Sequence, residues 1–377
     1  MINDDTTLIQ RFPGGVRKEH PADIAHYVVV SQGAEAGKKI EIGLAPISVG
    51  RHDGNRFTLA DPYVSAWHCL IRFEQGRVWV TDLNSTNGTF VDGRKTTGKV
   101  EWPIHVPLQV GNHLLYHEYR RRDDMRRSDE LSKELLHAAT YVQTLIPPPL
   151  REGPVIAEWH FLPSASLGGD IFDYGWLDKG HFSFYLLDVC GHGVGAALHS
   201  VSVFNLLRQR ALLDVDLTRP ADVLNALNMA MPMELYGDMY FTLWYGVYQP
   251  ANRTLSFACA GHPPALVFDT EHRHRASLRS DDPPIGMVAN LVYQESTVVL
   301  PPDVRVYLYS DGLYEITTVN GDVWSWAEFV RLLEGRQRAG AGQPEAIFRN
   351  ICNLADKHRF DDDSSLLLFS FPGAGPT

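Results

Sequence analysis

The sequence predicts a multidomain chain: an all-β sandwich, then a helical linker, then an α+β domain. Three observations carry this. The 377 residues exceed the roughly 100 to 200 that one domain uses. The hydrophobic pattern changes character twice along the chain. The net charge of −11 falls wholly in the last part, because residues 151–377 hold 16 basic against 27 acidic side chains, residues 1–120 hold 13 of each, and residues 121–150 hold 5 of each.

From Tyr27 to about Tyr119, short apolar runs rich in Val, Ile, Phe and Trp alternate with Gly, Asn and Asp turns, and no long helical period appears. Cys69 to Phe73 and Val78 to Thr81, with a turn at Gln75-Gly76, read as one hairpin of an all-β sandwich. Residues 121–146 lack Gly and Pro and carry apolar residues at Leu131, Leu135, Ala138, Val142 and Leu145, a helical seam. Pro147 to Pro149 should stop that helix. The seam suits packing on a neighbouring domain or pairing with a second copy. Beyond Pro154, His181 to Val189 and Val304 to Ser310 read as buried strands, and Gly195 to Leu213, Pro220 to Met231 and Trp326 to Leu333 as helices. Regular β-α-β alternation is missing, which favours antiparallel sheets in an α+β domain over a doubly wound one. The expected boundaries are 27–120, 121–149 and 150–372.

Composition narrows the function. No apolar run approaches the roughly 18 residues of a membrane span, and the polar, acidic start from Met1 to Asp5 does not resemble a secretory signal. A cytoplasmic protein without a membrane partner is expected. Cysteines at 69, 190, 259 and 352 are too scattered for a disulfide framework or a zinc site and read as small core residues. An acidic C-terminal part repels nucleic acid but suits carboxylates that gather metal cations.

Three clusters mark the β domain: Gly50-Arg51, Ser65 with His68 three residues on, and Asn84 to Thr89. Each lies between apolar runs, hence on a loop. Arg, Ser, Thr and Asn on adjoining loops can surround a phosphate with charge-assisted and neutral hydrogen bonds. In this order and spacing they resemble the forkhead-associated (FHA) domain. The resemblance implies phosphothreonine-peptide recognition, with Arg51 and Ser65 on the phosphate, Thr86 and Asn87 on phosphate or peptide backbone, and His68 as a buttress. Ala66 departs from the family, which often has Arg, Lys or Asn there, and weakens the expected affinity.

Four acidic clusters share a local design in the C-terminal part: Gly168-Gly169-Asp170, Asp188 to Gly193, Ser310-Asp311-Gly312, and Asp361-Asp362-Asp363. Two apolar strands each deliver an Asp to their end, followed closely by Gly. Converging carboxylates repel one another unless divalent cations lie between them, and oxygen-only ligands select Mg²⁺ or Mn²⁺ over zinc. With Met239 to Thr242, Ala260 to Pro264, Pro284 to Gly286, and Asp362-Asp363 ahead of Ser365 to Leu367, the chain resembles the PPM metal-dependent serine/threonine phosphatases, in their SpoIIE/RsbU-like branch. The resemblance implies an αββα sandwich and two metals. Asp188 would bridge both, the Val189 carbonyl would add a ligand, and Asp170, Asp311 and Asp362 would complete the shells, with Asp188 and Asp311 central to catalysis. His192 and His262 lie in Gly/Pro turns and read as buried or capping residues. Trp324-Ser325 and Pro302-Asp303 depart from the family away from the carboxylates.

The reading is therefore a metal-dependent phosphoserine/phosphothreonine protein phosphatase of bacterial signalling. The competing readings are a catalytically silent phosphopeptide-binding scaffold and a nucleotidase or other phosphoesterase. The branch implies a phosphorylated STAS-type (anti-anti-sigma) substrate, the FHA domain implies a Ser/Thr kinase in the same pathway, and the 121–146 helix offers a homodimer contact. Absence of a Cys-x5-Arg loop argues against a cysteine phosphatase.

Overall fold

Period-two alternation from Ile24 onward builds strands whose inward residues meet in one core. The computed structural model describes residues 24–164, 167–356, 360 and 362–373. They fall into two compact units, one ending at Lys133 and the other starting at Glu134.

In the first unit a six-stranded sheet runs in the order Lys39–Ile42, Ile24–Gln32, His113–Arg121, Pro107–Val110, Thr89–Val91, Arg94–Lys95. A five-stranded sheet runs Phe57–Thr58, Ile47–Gly50, Cys69–Glu74, Arg77–Asp82, Lys99–Glu101. Val28, Val49, Ile71, Val80, Trp102 and Leu115 fill the core. The expected Gln75-Gly76 turn is present, with φ of 52° and 77°, the left-handed pair that a tight hairpin needs. The β-sandwich is thus the architecture that the short apolar runs predicted.

Helix α1 spans Arg122–Leu145 and ends where Pro147 begins to remove donors. Met125 packs on Ala25 and Tyr27 in the first unit, and Leu145 joins an apolar cluster of the second. Between them Leu131 is 57% exposed, so the described residues leave part of the seam uncovered.

The second unit holds two antiparallel five-stranded sheets. One runs Ile156–Leu162, Ser364–Phe371, Val304–Tyr309, Ala265–Phe268, His274–Leu278; the other runs Ile171–Trp176, Phe182–Val189, Phe241–Gln249, Thr254–Ala260, Ser296–Val299. Alternation sends Phe184 and Leu186 between the sheets, against Leu308, Leu367 and Phe369. It sends Tyr185 and Leu187 outward, under helices α2 (Val194–Arg208) and α3 (Pro220–Ala230). Both faces are buried, which is why Phe182–Val189 reads as a continuous apolar run. Helices α4 (Trp326–Arg338) and α5 (Pro344–Leu354) cover the other sheet through Phe329, Leu333, Ile347 and Ile351. The layers are αββα. Truncating Phe184, fully buried between the sheets, should cost about 3 to 5 kcal/mol.

Three expectations need correction. Helix α2 stops at Arg208, five residues short of Leu213, because Arg210 turns left-handed at φ 54° and the Arg210 and Ala211 amides close onto Leu207 and Leu206 carbonyls. Helix α4 runs on to Arg338, past Leu333. Cys69 and Cys259 are buried, but Cys190 and Cys352 are only partly so. The Trp324-Ser325 departure has a local reason: Ser325 caps α4 in a capping box with Glu328. No helix among the described residues is long and apolar enough to cross a membrane.

Candidate functional site

The sequence motifs of the first unit meet on adjoining loops. Strand Ile47–Gly50 ends at Gly50, where a Cβ would lie 2.3 Å from the Ala66 carbonyl; only glycine lets the two loops touch. The Arg51 amide then donates to Ser65 O at 2.9 Å and the His52 amide to Ala66 O at 3.2 Å. Ser65 Oγ accepts from the Thr86 amide at 3.0 Å, and Asn87 Nδ2 donates to Tyr63 O at 2.8 Å. His68 is fully buried; its Nδ1 accepts from the Ser65 amide and its Nε2 faces Gly88 O. Burial holds that ring below the ordinary histidine value, so it is a neutral strut, as the sequence suggested. Asp82 fastens the Thr86 loop from beneath, accepting from Ser85 and Thr89 hydroxyls at 2.6 Å each. Its carboxyl is pushed up by burial, but these hydrogen bonds outweigh that and bring it below the ordinary value. The Arg51 side chain itself is exposed and borders a 270 Å³ cavity with His52, Asp53 and Ala66. Rigid loops thus present a guanidinium, hydroxyls and an amide to solvent, a set that suits a phosphate.

In the second unit, four strand ends bring the carboxylates together. Asp188 lies in the last pair of positions of its strand, opposite Thr242. Asp311 follows the strand Val304–Tyr309 and opens a 3-10 turn. Asp362 and Asp363 precede Ser364–Phe371. Asp170 precedes Ile171–Trp176 and is 2% exposed. The Val189 carbonyl lies beside Gly169, where a Cβ would come within 2.8 Å of it.

These groups feel one another. Burial pushes Asp188 far above the ordinary carboxylate range, and Asp170, Asp311, Asp362 and Asp363 add to it in that order. Burial and then Asp363 push Asp170 up as well. Asp311 rises to about 6 through burial, Glu315 and Asp362. Asp170 Oδ2 accepts from Ser365 Oγ at 2.6 Å, while Oδ1 is buried without a partner. Among the described residues no three such side chains close on one point as a ready-made cation cage. The fit to cations rests instead on repulsion that needs a counter-charge, on the orphaned Asp170 oxygen, and on an oxygen-only donor set.

Two features escaped the sequence. Asp363 is 3% exposed and spends its oxygens on the Ser164 amide at 2.7 Å, the Ser164 hydroxyl at 2.9 Å and the Gly169 amide. A Cβ on Gly168 would lie 2.5 Å from Asp363 Oδ2, so glycine is required for that clasp. With Asp363 so engaged, the more exposed Asp362 is the freer ligand; Asp361 lies outside the described residues. Second, Ser310 and Ser365 knit the two strand ends, Ser310 Oγ accepting from the Ser365 amide at 2.9 Å, and Ser365 then holds Asp170. Nothing but their spacing from the aspartates could have pointed to them. His262 is buried as expected, whereas His192 is exposed.

Comparison with known proteins accords with the two-domain organisation. Residues 178–372, just over half the chain, match the family described as stage II sporulation protein E (SpoIIE), and residues 47–113 match the FHA domain. The phosphoserine phosphatase RsbP of Bacillus subtilis (strain 168) is 27% identical over 243 residues, 63% of this chain and 57% of that protein. The FHA domain-containing protein FhaB of Mycolicibacterium smegmatis is 37% identical over 92 residues, 24% of this chain and 59% of that protein. The alignments therefore span less than two thirds of these relatives. The SiaA-PP2C domain of Pseudomonas aeruginosa superposes with a TM-score of 0.55 at 20% identity, covering 65% of this chain and 98% of that one.

Proposed function

We propose, from the premise that this chain belongs to the SpoIIE family and carries an FHA domain ahead of the family's domain, that it is a metal-dependent phosphoserine/phosphothreonine protein phosphatase. The observation that carries the reading is the set of aspartates that converges from both sheets with its carboxyls pushed upward. Asp170, Asp188, Asp311, Asp362 and the Val189 carbonyl would hold two divalent cations, Mn²⁺ or Mg²⁺, with Asp188 between them. When bound, the cations supply an activated water and neutralise the phosphoryl oxygens.

The chain's own residues do the positioning. Ser365 fixes the Asp170 carboxylate, and Asp363 ties Ser164 and Gly169 to the strand that Asp362 precedes. Gly168 and Gly169 carry no Cβ that would collide with Asp363 and the Val189 carbonyl, so the backbone just before Asp170 lies close to both. Asp188 must be deprotonated to serve, so at neutral pH a cation has to displace its proton.

Arg51, Ser65, Thr86 and Asn87 would bind a phosphothreonine segment, with Ala66 leaving the phosphate one contact fewer. The partners this implies are a phosphorylated substrate of STAS type and a phosphothreonine protein such as a Ser/Thr kinase. The part of the α1 seam around Leu131 would pair with a second copy, since the described residues leave it uncovered.

The test is phosphate release from a phosphoserine and phosphothreonine peptide panel by the full chain. Activity that chelator removes and Mn²⁺ or Mg²⁺ restores is expected. Full activity in excess chelator would overturn the cation requirement, and no activity under any cation would favour the silent scaffold.

A further inference from the structure

We infer that His262 and Thr242 form a positioning pair that fixes Asp188 in depth between the two sheets, and so sets the affinity of the carboxylate cluster for cations. The inference rests on the cation-dependent reading of that cluster and deepens it.

Strand Thr254–Ala260 belongs to one sheet and Ala265–Phe268 to the other, so Gly261 to Pro264 is a crossover between sheets. The crossover is pinned. The Gly261 amide donates to Asp282 O at 2.8 Å, and Cys259 Sγ donates to His262 O at 3.2 Å. A short, anchored turn of this kind gives its side chain a fixed position relative to both sheets.

From that turn the His262 ring reaches Thr242, with Nδ1 and Oγ1 2.7 Å apart. Thr242 lies directly opposite Asp188 in register. Both side chains project from the face of the sheet that carries Leu186 and Trp244 into the inter-sheet core. Directly opposed side chains in an antiparallel pair stand about 4.5 to 5.5 Å apart at Cβ. Thr242 is therefore the lateral neighbour of Asp188 on the Phe241–Gln249 side, and His262 is the side chain that holds it. His262 is 6% exposed, and burial drops it to about 3, so the ring stays neutral and works as a hydrogen-bonding strut without adding charge.

Partners behind a ligand typically contribute about 10- to 100-fold to metal affinity by fixing ligand orientation. The same range is expected here. Thr242 and His262 are positioning residues; neither is assigned contact with substrate or cation.

The experiment is Mn²⁺ binding by the full chain, read by electron paramagnetic resonance, in wild type and in Thr242→Val, Thr242→Ser, His262→Phe and His262→Asn. Thr242→Val keeps shape and removes the hydroxyl, and Thr242→Ser keeps the hydroxyl and removes a methyl. His262→Asn keeps a polar atom near the Nδ1 position. The expected result is Mn²⁺ affinity about tenfold or more weaker in Thr242→Val and His262→Phe, near wild type in Thr242→Ser, and partly recovered in His262→Asn. KM for a phosphopeptide at saturating Mn²⁺ should be unchanged in Thr242→Ser. Melting in chelator separates misfolding from mispositioning: Thr242→Val and Thr242→Ser should melt alike yet bind Mn²⁺ differently. Equal affinity of Thr242→Val and wild type, or equal loss in Thr242→Val and Thr242→Ser, overturns the inference and leaves the phosphatase reading intact. Failure of wild type to bind Mn²⁺ at all overturns both.

Discussion

Asp188→Asn should stabilise the cation-free phosphatase domain while destroying its function. In the folded, cation-free state Asp188 is crowded by four other aspartates and holds its proton well above the ordinary value of 3.8. Between 3.8 and that raised value the folded chain binds more protons than the unfolded one, so stability falls as pH rises through the window. At pH 7, taking up that proton costs about 1.36 kcal/mol for each unit between 3.8 and 7, or about 4 kcal/mol. Asparagine offers a neutral group of the same shape without that cost. Sharing of one proton between Asp188 and Asp170 lowers the gain, so about 1 to 4 kcal/mol is expected. For a domain of this size each kcal/mol moves the midpoint by roughly 2 to 4 °C. The assay is calorimetric melting of the full chain in chelator, following the phosphatase transition. The variant should melt higher at pH 7, and its advantage should shrink toward pH 4, where the unfolded aspartate also protonates. Saturating Mn²⁺ should reverse the order, because wild type then gains binding free energy that the variant lacks. A variant that melts at or below wild type in chelator would refute the electrostatic reasoning.

Other outcomes follow from the same residues. Arg51→Ala should weaken a phosphothreonine peptide by about 1.5 to 3 kcal/mol, roughly ten- to hundredfold, measured by calorimetry, with hydrolysis of a small phosphoester unchanged. Leu135→Asp with Val142→Asp should change the molecular mass in solution or the turnover, read by light scattering and steady-state kinetics; wild-type values of both would make α1 a passive tether. Burial lowers His26, His68 and His117 in the FHA domain, so the unfolded chain binds more protons below the ordinary 6.5. The FHA transition should therefore weaken as pH falls from 6.5, and His117→Gln should flatten that acid limb in a pH series of melts.

Much of the fold was legible because the sequence repeats its message at several levels. Strand Phe182–Val189 is apolar on both faces and ends in Asp-Val-Cys-Gly, so its burial and its functional tip could both be read. The Gln75-Gly76 hairpin and the Pro147 stop were equally direct, being backbone rules. The end of α2 was not, because Gln209 to Leu213 contain no Gly or Pro and the left-handed turn at Arg210 is imposed by packing. The roles within Asp361-Asp362-Asp363 were hidden for another reason. Identical side chains carry no register, and only the donors of Ser164 and Gly169, far off in sequence, separate Asp363 from its neighbour. The Ser310–Ser365–Asp170 chain is likewise long-range, and serine at a strand end has no pattern of its own.

The central claim, that the aspartates hold a cation pair, is tested most directly by the stoichiometry of Mn²⁺ bound at equilibrium. Wild type at neutral pH should bind two ions per chain at the cluster, with protons released on binding, and Asp188→Asn should lose both together because it removes the shared ligand. Wild type that binds none, or Asp188→Asn that binds as many as wild type with equal affinity, would contradict the account.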